Sequence, residues 1–312
     1  MRTIAVSAPG KLHLLGEHVV VYGKPALLAA INKRIFVTIS ETKKKKIDDL
    51  SLEELKKVIE NAIKKKYRIS KIRPYTISIS SHIPTGSGLG SSAGLSVALT
   101  FALLTFLGIK ANKTTIFDIA YTGESFFHGI PSGGDVATVI EGGFLWFRKE
   151  FEFLKIFTPL PFKPHKNIGQ FILINSGKPK ESTKDMVEKV AQFKIAFPQK
   201  TQALFNSQEE LTKRMVVSFK DGDEGNLIKC IKSGEQNLEK LGVVGKKAQS
   251  LIRSIERLGG AAKISGAGGV KEGSGMLLVY HKDVERLLSY AKQKNLEVLK
   301  IQIGSEGLRK DE

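Results

Sequence analysis

The chain has 312 residues, 41% hydrophobic and 26% charged, an ordinary globular composition with length for one large core or two lobes. A single cysteine, Cys230, excludes an internal disulfide framework and suits a reducing, cytoplasmic setting. The 49 Lys and Arg against 31 Asp and Glu set a formal net charge of +18, but the lysines are dispersed and lack interleaved aromatics, so a solvated basic surface with some pull on anionic substrates is expected rather than a nucleic-acid partner.

Lys11, Glu17 and His18 interrupt any apolar run in MRTIAVSAPGKLHLLGEH, so no signal peptide is read there. A short strand spans 2–7 and ends at Ala8-Pro9-Gly10, and Ile35, Val37 and Ile39 alternate with Phe36, Thr38 and Ser40 in a second. The lysine run 43–46 reads as a loop before a helix, opened by the capping box Ser51-x-x-Glu54, with Leu52, Leu55, Val58, Ile59, Ala62 and Ile63 on its apolar face. A half-buried strand, 75–83, delivers the chain to PTGSGLGSSAGL, residues 84–95. The uncharged run 93–109 is about the lower limit for spanning a bilayer, but it follows a glycine-serine loop and carries Ser96, Thr100 and Thr105. It reads as a buried helix, and no membrane span is expected.

A helix over 115–127 breaks at Gly129-Ile130-Pro131, and a helical turn near Asp135 and a strand over 144–148 follow. Three prolines, Pro159, Pro161 and Pro164, suggest a crossover between lobes, dividing the chain into 1–163 and 164–312. Beyond it come a strand (171–175), a mostly helical stretch (183–258), a strand (261–265), a glycine-rich loop, a strand (276–280), a helix (283–294) and a strand (296–303).

The loop at 84–95 fits three patterns. Gly88-x-Gly90-x-x-Ala93 matches the dinucleotide fingerprint, but no following strand ends in the required acid; Asp118 lies in a helical segment. Gly90-x-Ser92-x-Gly94 matches the hydrolase elbow, but eight residues separate the strand from Ser92, so there is no sharp turn. A phosphate-binding loop asks less: small residues expose backbone N–H groups, and the helix beginning near Ser92 aims its positive end at an anion. A glycine-rich turn with an N-capping serine and no ligand remains the plain alternative. Elsewhere, PGKLHLLGEH crowds Lys11, Glu17 and His18 around glycine bends, HGIPSGGD sets Asp135 after a glycine turn, and Ser265-Gly266-Ala267-Gly268-Gly269 forms a second backbone-exposing loop. The six histidines have no metal-ligand spacing, so Mg²⁺ delivered with a nucleotide is the only metal implied.

PGKLHLLGEHVVVYG, PTGSGLGSSAG and KISGAGG, in that order, resemble the motifs of the GHMP superfamily of galactokinases, homoserine kinases, mevalonate kinases and phosphomevalonate kinases. GEHVVVYGKPAL, HGIPSGGD and Glu181-Ser182-Thr183-Lys184 look most like the mevalonate kinase family. The resemblance implies a two-lobed α+β fold, the N-terminal lobe ribosomal-protein-S5-like and the C-terminal lobe ferredoxin-like. It implies ATP- and Mg²⁺-dependent phosphorylation of the 5-hydroxyl of mevalonate to 5-phosphomevalonate in isoprenoid biosynthesis, and it leaves a homodimer open.

Carried over residue by residue, Pro84, Gly86, Ser87, Gly88, Leu89, Gly90, Ser91, Ser92 and Ala93 would cradle ATP phosphates, with Gly266 and Gly268 behind them. Ser92 and Glu124 would hold Mg²⁺, Asp135 would sit beside the substrate hydroxyl with Lys11 paired to it, and Glu17, His18 and Thr183 would lie near mevalonate. One departure is visible: the family's third motif continues as glycines, whereas Gly269 is followed here by Val270-Lys271-Glu272. Phosphomevalonate as acceptor and a non-catalytic binding or regulatory protein stand as alternatives.

Overall fold

The structure, a computed structural model, describes residues 2–42, 50–84, 86–129 and 131–311. The lysine run and the side chain of Ser51, with its expected capping box, lie outside the described residues.

Strand β1 (Thr3–Leu15) runs straight through Pro9-Gly10, where the strand was expected to stop. A register shift absorbs the bend: Pro9 faces Arg34 on β2 (Ala26–Glu41), and the next residue, Gly10, faces Ile31. Alternation along β1 sends Leu12 and Leu14 into the core while Lys11 and His13 share the opposite face. β2 is longer than expected because its first half, ALLAAI, is apolar without alternation; it is buried on both faces, as such runs are. One edge of β2 pairs with β1; the other is shared by β3 (Tyr75–Ser81) and β4 (Phe144–Lys149). β5 (Lys155–Leu160) closes the far edge and takes in Pro159, tolerated because an edge residue needs no second hydrogen-bonded neighbour.

Helices α2 (Ser91–Phe106) and α4 (Gly134–Glu141) pack on this sheet, and α1 (Leu50–Tyr67) and α3 (Lys113–His128) pack against α2 and each other. α2 is apolar all round because it touches β1 and β2 below and α1, α3 and α4 beside it. Among the described residues no helix is long and apolar enough to cross a membrane.

The second sheet is antiparallel. It comprises β6 (Phe171–Asn175), β7 (Ala261–Ile264), β8 (Met276–Tyr280) and β9 (Val298–Ile301) in the order β7-β8-β6-β9, the ferredoxin-like arrangement. Between β6 and β7 stand α5 (Thr183–Ala196), α6 (Pro198–Asp221), α7 (Glu224–Lys240) and α8 (Lys246–Arg257), and α9 (Val284–Gln293) joins β8 to β9. The chain then returns to the first sheet, where β10 (Arg309–Lys310) pairs with β1. Neither β5 nor β10 was expected; each is short and lacks clean alternation.

The two sheets share one apolar core through α6. The buried Phe219 ring lies 4.9 Å from Phe144 of the first sheet and 6.0 Å from Phe171 of the second. Phe219→Ala is expected to cost about 3–5 kcal/mol through the cavity it leaves, read as a lowered urea midpoint.

Candidate active site

Lys11 and Asp135 meet from β1 and the first turn of α4, Nζ to Oδ2 at 2.9 Å. His13, two residues along the same strand face, brings Nε2 to 3.7 Å from Oδ1 of Asp135. Burial works against ionisation at Asp135, but the Lys11 ammonium and the His13 ring outweigh it and hold the carboxyl well below its usual range. The aspartate is therefore a carboxylate at neutral pH, 30% exposed at the cleft.

The glycine loop is built around the same lysine. The Lys11 amide donates to the Leu89 carbonyl at 2.9 Å, and the Lys11 stem lies so close over Gly90 that a Cβ there would be 2.7 Å from Cγ. Gly86, Gly88 and Gly90 all have left-handed φ, near 68°, 76° and 77°, a backbone that glycine adopts without the strain a Cβ would bring. Ser87 Oγ donates to the Pro84 carbonyl at 2.6 Å, Leu89 is buried, and Ser91, Ser92 and Ala93 form the first turn of α2. α2 thus presents its positive end beside Lys11.

Ser92 and Glu124 are joined across α2 and α3, Oγ to Oε1 at 3.0 Å. His128, one turn after Glu124, approaches both: Nε2 is 3.1 Å from Ser92 Oγ and 3.3 Å from Glu124 Oε1. Glu124 is buried, and its Oε2 has no partner. Burial, and then the negative charge of Asp135, push its carboxyl up to about 7, against the pull of Ser92 and Lys11. An orphaned, buried carboxylate oxygen beside a hydroxyl is an oxygen donor set that suits a hard divalent cation sharing its remaining positions with phosphate and water.

The second glycine loop faces the first. Ser265 Oγ donates to the His13 carbonyl at 3.3 Å, and the Ala267 carbonyl lies 2.9 Å from His18 Nε2. Gly266 has open space above it, whereas Gly268 is wedged on the Val243 carbonyl. The departure after Gly269 turns away from the cleft: the Lys271 amide donates to Glu181 Oε1 at 3.1 Å, Lys180 pairs with Glu272, and Gly273 packs against the Gly177 backbone. His18 holds φ 63°, a conformation that side chains avoid, and burial lowers its pKa.

Glu17, expected near the substrate, has a partner from the second sheet. It pairs with Lys263 of β7, both buried, and Lys263 also donates to the Ile264 carbonyl. Behind them the fully buried Glu235 of α7 accepts from the Ile264 amide at 2.9 Å, and burial raises its carboxyl to about 8. Lys263 and Glu235 were missed. The available signal was a lysine inside an otherwise apolar strand, Ala261-Ala262-Lys263-Ile264. His13 and His128 stood in the motifs without assigned roles. Thr183 is not brought into the cluster: it is exposed at the start of α5, beside the capping box of Ser182 and Asp185.

Because Glu124 titrates above its ordinary 4.5 in the folded chain, its contribution to stability is intact below pH 4.5 and lost as pH rises through about 7. Glu124→Gln should therefore stabilise the ligand-free protein by about 1–3 kcal/mol at pH 8 and leave it unchanged at acid pH. Urea midpoints at the two pH values check this.

Two family profiles match the chain, "GHMP kinases N terminal domain" over residues 53–143 and "Galactokinase galactose-binding signature" over residues 2–41. A mevalonate kinase of Archaeoglobus fulgidus is 33% identical over 84% of this chain and 88% of its own length. One from Pyrococcus furiosus is 32% identical over 86% and 87%. Among solved structures, the Methanococcus jannaschii mevalonate kinase superposes with a TM-score of 0.81 at 22% identity, covering 97% of this chain and 99% of that one. The L. major mevalonate kinase in complex with R-mevalonate superposes with a TM-score of 0.80 at 19% identity, covering 96% and 95%. With a two-sheet α+β fold of this kind and relatives of this identity over most of its length, the chain belongs to the mevalonate kinase family of the GHMP kinases.

Proposed function

We propose that this protein is an ATP-dependent mevalonate kinase that transfers the γ-phosphoryl group to the 5-hydroxyl of mevalonate, serving isoprenoid synthesis in the cytoplasm. The observation that carries the reading is the Lys11–Asp135 pair standing between a glycine loop at a helix start and the Ser92–Glu124 donor pair. Phosphoryl transfer needs positioning and charge neutralisation more than covalent chemistry, and these residues supply both.

The acceptor hydroxyl donates its hydrogen bond to the Asp135 carboxylate, which points its oxygen lone pair at the γ-phosphorus. As the new O–P bond forms and the bond to the ADP leaving group breaks, the hydroxyl proton passes to Asp135. With Lys11 2.9 Å away Asp135 is a weak base, so alignment is its larger contribution. Lys11 faces the charge developing on the transferred group and steadies the attacking oxygen. Amides of residues 86–93 and the start of α2 hold the phosphates. Mg²⁺, when bound, neutralises the phosphate oxygens; Ser92 Oγ and Glu124 would hold it, and the unpartnered Oε2 of Glu124 supports that role.

His18 sits on the mevalonate side of the cleft in this reading, with Glu17 holding its loop through Lys263. Thr183, exposed beside the α5 cap, is assigned to the substrate side on its motif alone. A division of the chain near residues 163–164, between β5 and β6, belongs to the same proposal.

A coupled ADP-release assay with Mg·ATP and mevalonate, phosphomevalonate, homoserine or galactose in separate wells tests the acceptor. Turnover with mevalonate alone is expected; turnover with another acceptor overturns the substrate, and the galactose well answers the sugar-binding profile matched at residues 2–41. Asp135→Asn should lower kcat by at least ~10²-fold with little change in ATP affinity. A folded Asp135→Asn protein with near-normal kcat would remove Asp135 from the mechanism.

A further inference from the structure

Arg34 is a buried cation that the mechanism above does not use. Its guanidinium donates to Ser7 Oγ at 2.9 Å and to the carbonyls of Ser7, Glu306 and Gly307, each at 2.8 Å. Two of those acceptors lie in the segment 302–311, which returns from the second sheet and lies along the first. This strap is hydrogen-bonded along much of its length. The Asn32 amide donates to Gln302 and the Ser305 amide to Ala30, both at 3.1 Å, the Gly143 amide donates to Ser305 at 2.8 Å, and the Asp311 amide donates to Ala5 at 2.9 Å.

The strap also touches one end of the helix that carries Asp135. The Leu308 amide donates to the Ile140 carbonyl at 3.3 Å, and Gly142 bridges Glu306. The backbones meet without clearance: a Cβ on Gly142 would lie 2.1 Å from the Gly307 nitrogen, and a Cβ on Gly307 2.4 Å from the Ile140 carbonyl oxygen. α4 has 8 residues, and at ~1.5 Å per residue it is a short stiff rod with the strap at one end and Asp135 in the first turn of the other. A shift at residues 140–142 therefore moves the carboxylate against Lys11.

We infer that Arg34, by clamping the strap onto the end of α4, sets the position of Asp135 and is a positioning residue for phosphoryl transfer. This rests on the kinase reading above. The glycine loop and the Ser92–Glu124 pair lie outside the strap's contacts given above, so the effect falls on alignment of the hydroxyl rather than on nucleotide binding.

The test uses the full chain with three substitutions, Arg34→Met, Arg34→Lys and Gly307→Ala. Gly307→Ala retains the Arg34 guanidinium but forces the strap from Ile140, so it remains informative if Arg34→Met folds poorly. The expected result is a fall in kcat of ~10–10²-fold for Arg34→Met and Gly307→Ala, with KM for Mg·ATP unchanged and part of the loss recovered in Arg34→Lys. Hydrogen exchange should quicken in residues 134–142 and stay at the wild-type rate in the second sheet. Wild-type kcat in folded Arg34→Met and Gly307→Ala overturns the inference, whether or not α4 loosens. So does exchange that rises evenly through the whole chain with kcat falling only in proportion to the folded fraction. Failure of the kinase reading is separate: the wild-type chain then turns over no acceptor, and unchanged exchange at 134–142 in the variants still defeats the clamp.

Discussion

The Lys11 ammonium and the Asp135 carboxylate have to be brought within 2.9 Å of each other from a strand and a helix more than a hundred residues apart. Asp135 also stays partly open to solvent. Removing the water from one charge alone would cost several kcal/mol, so each residue is tolerated there because of the other. The surrounding architecture follows from that requirement. β1 continues through its bend so that Lys11 and His13 share a face, Gly90 gives way to the lysine stem, and the amide of the same lysine ties down the glycine loop. One residue thus fixes Asp135 relative to the glycine loop.

A second buried pair joins the first and third motifs. Glu17 and Lys263 lie far apart in the chain and reach each other with almost no solvent contact, and Glu235 supports the strand that carries the lysine. With the contacts His18–Ala267 and Ser265–His13, this pair sets the separation of the two glycine loops before any ligand enters. Among the described residues, burial pushes two carboxyls, Glu124 and Glu235, into the neutral range. One leaves an unpartnered oxygen beside Ser92 and the other lies behind β7, where it accepts from the Ile264 amide.

The glycine loop, the buried α2 and the strands of the second sheet were legible because each depends on local pattern: small residues before an uncharged run, or alternation bounded by turns. Lys11, Ser92, Glu124 and Asp135 became legible as a set only through the order of the motifs, since their convergence is tertiary. The partner of Glu17, Lys263, lies 246 residues away, a contact no local window contains. The strap was missed for a related reason: it is held by contacts with distant backbone, so its own residues show little periodicity. β5 pairs locally with β4, but Lys155, Thr158 and Pro159 leave its sequence without clean alternation. Thr183 shows the converse, a motif residue whose neighbours are occupied in capping a helix.

Pro159 gives the first sheet a property that concerns other chains rather than this one. An open edge strand offers a row of unpaired amides and carbonyls on which a foreign strand can add, the route by which sheets fuse into aggregates. At β5 that row lacks one donor at Pro159 and starts at Lys155, while at the opposite edge β10 is only 2 residues long. The β5 edge is therefore a poor template. The apolar first half of β2 thus lies two strands behind a border that discourages growth.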